Sequence, residues 1–419
     1  MGVDKDDEGR LKQLGYKQEL FRALDAFANF GVAFTILSEP MSVLPLIYLG
    51  LGAAGPRWML ITWPIVSALS AFVAASMSEI VSSYPTSGGL YYWSASLAGP
   101  KWAPYASYIT GYFNFLGLSG LSAGSVAIRC PTNSQSQPQA YAFGQFFVNC
   151  FLAQENPPFE NGSWPAKLIT LFVGIASLGL AGFFASFGSK AVNVLGKLCF
   201  WLNSVGLTVI VLSVFFTSPT KIAPSELFNT WSNLSGLPDA WAATISVLLA
   251  CLTYTGYDSA AHLAEETKNP AVQGLRSIGY AIFGTFVSGY FALFFLLSTI
   301  DPSAYSDIYS SGSYGLMSIF LNTVGLSGAV VFNVLLMLMA ITNMFGIIVT
   351  HARMTFAFSR DGALPGSKWL HKLGENFVPL RATLVIVLID AAILLPSLYS
   401  ATLYAAINLV LLEFIWHTL

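Results

Sequence analysis

Leu37-Ser38-Glu39-Pro40-Met41-Ser42 interrupts an apolar run over about residues 26–50, and Thr253-Tyr254-Thr255-Gly256-Tyr257-Asp258 interrupts a second over 239–258. An apolar helix needs ~20 residues to cross the hydrocarbon core of a bilayer, and both runs are long enough. Pro40 removes a backbone N–H and clashes with the turn before it. Gly256 is the weak point of the second run. Either break alone reads as an ordinary kink. Irregular backbone at membrane depth survives only when buried in protein or lining a wet cavity. An interruption at the same place in two halves of a chain is a pointer to a solute site. The N-termini of half-helices favour a carboxylate, and freed carbonyls favour an ammonium, so a zwitterion would satisfy both.

Outward from these two runs, eight more apolar segments read as spans: 58–82, 102–128, 166–187, 191–217, 275–299, 326–357, 379–398 and 400–418. An apolar piece at 140–153 is too short to cross alone. Hydrophobic residues make up 55% of the 419 and charged residues 10%. A soluble domain carries roughly 25% charged residues, so length is read here as spans and not as soluble domains. The predicted fold class is an all-α polytopic membrane protein, with residues 1–24 as a polar N-terminal segment and 25–419 as one transmembrane domain. Ten spans divide into two sets of five, about 25–217 and 239–418, and an odd number per set inverts the second. With the N-terminus in the cytoplasm, 15 Lys and Arg fall on the cytoplasmic side against 4 on the other (Arg57, Arg129, Lys167 and Lys221), which favours that orientation. The sequons at Asn161 and Asn233 are consistent with it. The polar start, through Arg22, reads as retained and not as a cleaved signal.

The candidate solute ligands are Ser38, Glu39, Met41 and Ser42 at the first break and Thr253, Tyr254, Gly256 and Tyr257 at the second. Intramembrane acids are functional candidates by default. Glu39 could hold an ammonium or take a coupling proton; the plainer reading is a neutral carboxyl bonded to Ser38 or Ser42. Tyr254 and Tyr257 could form an aromatic lid. Asp258 and His262, four apart on one helical face, with Glu265 a turn further on, could relay protons or latch a gate. For Glu265 and Glu266 the alternative is a solvated helix end. Asn114, Ser119, Ser122, Ser125, Thr342 and Asn343 could reach a central cavity, although Ser and Thr in such helices more often bond backbone. Of these Ser122 and Asn343 are retained as ligands. Asp390 is a lone intramembrane acid without an assigned role. Of the four cysteines, three lie in apolar runs and read as buried thiols, with a Cys130–Cys150 disulfide as the alternative for that pair.

Three blocks carry a family resemblance. Glu79-Ile-Val-Ser-Ser-Tyr-Pro-Thr-Ser-Gly-Gly-Leu-Tyr-Tyr-Trp93 with Leu97-Ala-Gly-Pro-Lys-Trp-Ala-Pro104, then Thr255-Gly-Tyr-Asp-Ser-Ala-Ala-His-Leu-Ala-Glu-Glu-Thr-Lys-Asn269, then Arg353-Met-Thr-Phe-Ala-Phe-Ser-Arg-Asp-Gly-Ala-Leu-Pro365 resemble the amino acid/choline transporter family of the amino acid–polyamine–organocation superfamily. The chain resembles plant bidirectional amino acid transporters and fungal GABA and choline permeases. The resemblance implies a five-plus-five inverted repeat with discontinuous helices 1 and 6, flanked by spans 3 and 8, and alternating access. The Tyr84–Gly89 turn reads as scaffold or gate, and the Ser359–Gly362 loop as a cytoplasmic anchor. Three departures stand out. Arg129–Gln139 has loop composition where relatives run straight through span 3. Leu411–Leu419 does not continue the family pattern, so the C-terminus reads as truncated. Ser38-Glu39-Pro40 places an acid and a proline where many relatives have small neutral residues, which bears on substrate identity.

The leading expectation is therefore a secondary transporter for amino acids or related amines such as GABA. A choline or polyamine permease is the alternative, its cation held by Glu39 or by a tyrosine cage. A non-transporting isoform is a third. The sequence has no P-loop, GxSxG or HExxH, so no enzyme, metal or cofactor is read. Without an ATP site a gradient must drive transport, and protons are favoured over sodium because titratable groups lie near both breaks. The partners expected are the solute, a coupling proton and the lipid of a plasma or organelle membrane, with no nucleic acid.

Overall fold

The structure is a computed structural model that describes residues 5–123, 139–154, 156–160, 162–312, 314–374 and 376–400, together with 403–404, 406–408 and 410–411. Its helices are α1 (Lys5–Gln13), α2 (Ala26–Leu37), α3 (Glu39–Ala53), α4 (Gly55–Ser83), α5 (Leu90–Leu97), α6 (Gly99–Ala123), α7 (Gln139–Leu152), α8 (Trp164–Ala185), α9 (Ser189–Thr217), α10 (Pro224–Leu227), α11 (Asp239–Thr253), α12 (Ser259–His262), α13 (Pro270–Leu297), α14 (Tyr305–Ser311), α15 (Tyr314–Arg360), α16 (Ser367–Leu370) and α17 (Leu380–Leu394). Among the described residues, seven helical segments are long and apolar enough to cross a membrane, the α2–α3 pair counting as one.

The polarity of the molecule is that of a bilayer protein. Leu69, Phe72, Phe172, Phe216 and Phe283 point outward and are exposed, while Glu39, Asp258, Glu265, Glu266, Arg353 and Asp390 are buried. Water would invert that arrangement.

Helices approach one another at glycines, as helices in lipid do. A Cβ on Gly31 of α2 would fall 2.6 Å from the Gly196 carbonyl oxygen of α9. The start of α2 is fixed to the same helix. The Asp25 side chain accepts from the Ala28 N–H at 3.0 Å and pairs with Lys197 at 2.5 Å, and the Asp25 N–H donates to Asn193. On α13, Gly289 gives room to Trp63 of α4, whose indole N–H donates to the Phe286 carbonyl at 3.2 Å.

Several expected spans are modified. The 326–357 run is the main part of α15, set off from its start by Gly325 at φ 71° and ψ 179°. The 102–128 run is α6, and residues 124–138, with Ser125, Cys130 and most of the loop-like stretch, lie outside the described residues. The piece at 140–153 is α7. It runs antiparallel to α8, with Gly174 against Ala140 and Gly144 against Thr170, the sense a continuation of α6 would have. The 239–258 run gives only the 15 residues of α11 before its break. Residues 412–419 and Asn161 also lie outside the described residues, so the tenth span is seen only in part. Cys150, Cys199 and Cys251 are free thiols.

Candidate functional site

The first break falls at Ser38, whose φ of 33° and ψ of 78° end α2 and start α3. Pro40 lies in the first turn of α3, where its missing N–H leaves no gap. The break orphans the last carbonyls of α2, and each finds a partner inside the protein. Phe34 O accepts from the Ser38 N–H at 3.2 Å. Thr35 O and Ile36 O, which an unbroken helix would give to the N–H groups of residues 39 and 40, accept instead from Nδ2 of Asn343 on α15, at 2.7 and 3.1 Å. Leu37 O accepts from the Ser42 hydroxyl at 3.4 Å. Glu39 is buried and turned toward α13, where the Ser288 hydroxyl donates to Oε1 at 2.6 Å. The partner is thus across the bundle and not Ser38 or Ser42, as the local reading had it. Met41 packs in the apolar core.

The second break runs from Tyr254 to Asp258, between α11 and α12. Gly256 takes φ +95°, and a Cβ there would lie 2.7 Å from Cγ2 of Ile36 and 3.4 Å from Leu121. The two breaks therefore meet, with α6 against them. Among the described residues no hydrogen bond reaches the N–H groups of Gly256, Tyr257 or Asp258. The hydroxyl of Ser38 and Oδ1 of Asn343 are likewise buried without a partner. Donors from one break and acceptors from the other and from α15 are left over at one place.

Other candidates are placed differently. Tyr254 is buried, with its hydroxyl 2.6 Å from Ser67 and its ring 5.6 Å from Trp63, so it is a wall against α4 and not a mobile lid. Tyr257 is buried beside the break. Thr253 bonds the Leu249 carbonyl within its own helix. Ser122 donates to Asp390 of α17, which gives that lone acid a partner on α6. Thr342 accepts from Asn203 of α9 at 2.9 Å.

Beyond the second break lies a buried polar cluster at the face that carries the N-terminal segment. His262 Nε2 is 3.4 Å from both Asp258 Oδ2 and the Asn114 amide, and Nδ1 is 3.1 Å from the Ser87 carbonyl. A carbonyl only accepts, so Nδ1 carries the hydrogen, and Nε2 is the acceptor that faces the Asn114 amide beside Asp258. The imidazole packs on Gly89 at φ +51°, where a Cβ would fall 2.9 Å from Cε1. Glu265 pairs with Arg360 through two bonds of 3.0 Å and accepts the Ser87 N–H at 3.1 Å. Glu266 pairs with Arg353 at 2.8 Å. Both acids are buried, which rules out solvated helix ends. Arg360 also lies over the Tyr16 ring at 4.1 Å, and Tyr16 and Tyr91 donate to Asp361 at 2.9 and 2.8 Å. Burial first, then the Asp361 carboxylate, holds the Tyr16 phenol above its ordinary value, so it remains a donor. Together these contacts lock the N-terminal segment, the 84–89 turn, the stretch after α12 and the end of α15.

Breaking this lock has a measurable consequence. Glu265→Gln removes the charge that holds Arg360, and losing one partner of a buried pair costs about 3–5 kcal/mol. With a cysteine at buried Thr86, reaction with a membrane-impermeant maleimide should rise at least about tenfold, which needs only ~1.4 kcal/mol. Unchanged labelling would show that the pair does not close this face.

Sequence reasoning missed Ser288, Ser67 and His351. His351 is buried on α15, with both ring nitrogens unpartnered among the described residues and its ring 4.9 Å from Phe115. The ion pairs had a usable signal. Arg353 lies in an apolar run and needs a partner, and Arg360, seven residues on, returns to the same helix face beside the Glu265-Glu266 doublet.

The comparisons with known proteins agree with this architecture. The chain is 31% identical over 408 residues to amino-acid permease BAT1 of Arabidopsis thaliana, covering 95% of this chain and 76% of that protein. It is 30% identical over 409 residues to the BAT1 homolog of Oryza sativa subsp. japonica, with the same coverage. It is 30% identical over 374 residues to an uncharacterized amino-acid permease of Schizosaccharomyces pombe, covering 87% of this chain and 64% of that one. Residues 27–415 match the amino acid permease family, and with an all-helical membrane bundle around them the chain belongs to that family.

Proposed function

We propose that this chain is a secondary transporter that moves an amino acid, or a related amine such as GABA, across a membrane by alternating access with proton coupling. The meeting of the two breaks carries the reading: N–H groups of residues 256–258 stand ready for a carboxylate, and the Ser38 hydroxyl and Asn343 Oδ1 for an ammonium. A zwitterion uses both ends. A choline permease would want a tyrosine cage, and Tyr254 is held on Ser67 and Trp63.

The first repeat then runs over about 25–217 and the second over 239–418, with the N-terminal face in the cytoplasm. The lock through Glu265, Arg360 and Asp361 closes that face, so it must open for the solute to leave. Asp258 and His262 lie between the break and the lock, where a proton taken up at Nε2 would strengthen their pairing. Glu39, buried and bonded to one hydroxyl, is the second candidate for that proton.

The test is uptake of labelled GABA, alanine, arginine and choline into proteoliposomes, with and without an inward proton gradient. Gradient-driven accumulation of an amino acid is the expected outcome, and it should fall at least about tenfold in His262→Asn if that ring carries the proton. Accumulation of choline alone would overturn the substrate assignment, and amino acid uptake indifferent to the gradient would overturn the coupling.

A further inference from the structure

We propose that Asp390 is a proton-binding site, neutral in this arrangement, whose proton is coupled to movement of the solute. The inference rests on the reading of the chain as a proton-driven transporter and adds a carrier to the two near the breaks. Asp390 lies midway along the Leu380–Leu398 span and is fully buried. Its one hydrogen-bond partner among the described residues is the Ser122 hydroxyl of α6, at Oδ2. Oδ1 has none, and the Ser119 hydroxyl, one turn back along α6, is also buried without a partner among the described residues. The helices α6, α8, α15 and α16 pack on α17, and among the described residues none of them pairs a Lys, Arg or His with the carboxyl. The titratable groups that face it are Tyr404 and, behind that, Tyr141 of α7, with their rings 5.5 Å apart. Neither phenol brings a positive charge.

A carboxylate at this depth would have a single hydroxyl to compensate its charge, and burial does not tolerate that. A neutral carboxyl fits. With the proton on Oδ2 the bond to Ser122 reverses. The carboxyl donates to Ser122 Oγ, and the Ser122 hydrogen turns to the carbonyl of Leu118 at 3.2 Å or of Ser119 at 3.1 Å. Each hydrogen then has an acceptor, and Oδ1 is left as a carbonyl and not as a charge. Release of the proton leaves its electron pair on Oδ2 and passes the proton to water, so it needs a state in which water reaches Asp390. The carboxylate formed there cannot be reburied until a proton returns, and that dependence ties the proton to the cycle. The link to the solute runs through α6. A Cβ on Gly256 of the second break would lie 3.4 Å from Leu121, the neighbour of Ser122.

The test is Asp390→Asn, whose amide donates to Ser122 as the neutral acid does but never ionises. Infrared spectra of the purified wild-type chain at neutral pH should contain a protonated-carboxyl C=O band that is missing from the variant. In proteoliposomes, the variant should lose proton-driven accumulation of labelled alanine at least about tenfold more than it loses alanine exchange without a gradient. A variant with the same carboxyl band as the wild type overturns the proposal, and so does one that accumulates alanine on the gradient as the wild type does. Equal losses of exchange and accumulation also overturn it, because they mark a structural part. If Asp390→Asn is not recovered folded, Ser122→Ala is read in the same spectra. Removing the acceptor of the carboxyl hydrogen should move the band to higher frequency, and an unmoved band overturns the proposal. A wild type that neither exchanges nor accumulates alanine contradicts the transport reading, while the infrared band decides by itself whether Asp390 holds a proton.

Discussion

Arg353→Ala should destabilise the folded chain by about 3–5 kcal/mol, the cost of leaving a buried charge without its partner. Arg353 and Glu266 are both wholly buried, with Nε 2.8 Å from Oε1 and Nη2 3.5 Å from Oε2. Water cannot reach Glu266 to compensate. The same residue's carbonyl accepts the Leu24 N–H at 3.0 Å, so the loss spreads to the N-terminal segment. The double variant Arg353→Met, Glu266→Met should recover much of the loss, because a buried pair replaced by apolar groups of similar size is often neutral. Melting of the detergent-solubilised protein, followed by tryptophan fluorescence, measures Arg353→Ala, the singles Arg353→Met and Glu266→Met, and the double. A single variant that melts like the wild type, or a double that loses the sum of both singles, would contradict the burial of this pair.

Gly256→Ala should abolish uptake while leaving the protein folded and in the membrane. Two effects add at this position. The φ of +95° is one that a side chain rarely adopts, and holding it costs of order 1–3 kcal/mol. The new methyl would also lie 2.7 Å from Ile36, one of the residues whose carbonyls Asn343 holds. The break has to shift against α2, and the N–H groups behind it turn away from the solute. A loss of at least about tenfold in uptake follows if displacing the break costs the site only ~1.4 kcal/mol. Gly236→Ala is the control. It shares the positive φ, at +72°, but meets nothing within 4 Å, so it carries the strain without the contact. Its uptake should stay near wild type. Equal losses in the two variants would mean that backbone strain, and not the meeting of the breaks, explains the effect.

Both breaks were legible because a proline and a glycine act on the backbone that contains them. Pro40 cannot serve the Ile36 carbonyl, and the helix ends at Leu37, three residues before it. Gly256 is where the chain takes a left-handed turn. The expected start of the eighth span, at 326, falls next to Gly325, where the helix is interrupted. Polar partners across helices were not. Nothing local says that Glu39 meets Ser288, that Tyr254 meets Ser67, or that Ser122 meets Asp390. Those pairings depend on how helices rotate about their axes, which is set by packing at positions such as Gly31 and Gly289. The lock lies between these cases. The three sequence blocks marked its parts, and the Ser359–Gly362 loop does anchor that face, but which acid takes which arginine is decided by the turn after α12.

Competition for binding of labelled alanine, by alanine with either end blocked, tests most directly whether the two breaks together read a zwitterion. Unlabelled alanine should displace the label from the purified chain, while alanine methyl ester and N-acetylalanine should each fail at ~100 times the concentration, a deficit of about 2.7 kcal/mol per lost end. Displacement by the methyl ester as strong as by alanine would show that the carboxylate is not read at Gly256–Asp258, and the site would have to be sought elsewhere in the bundle.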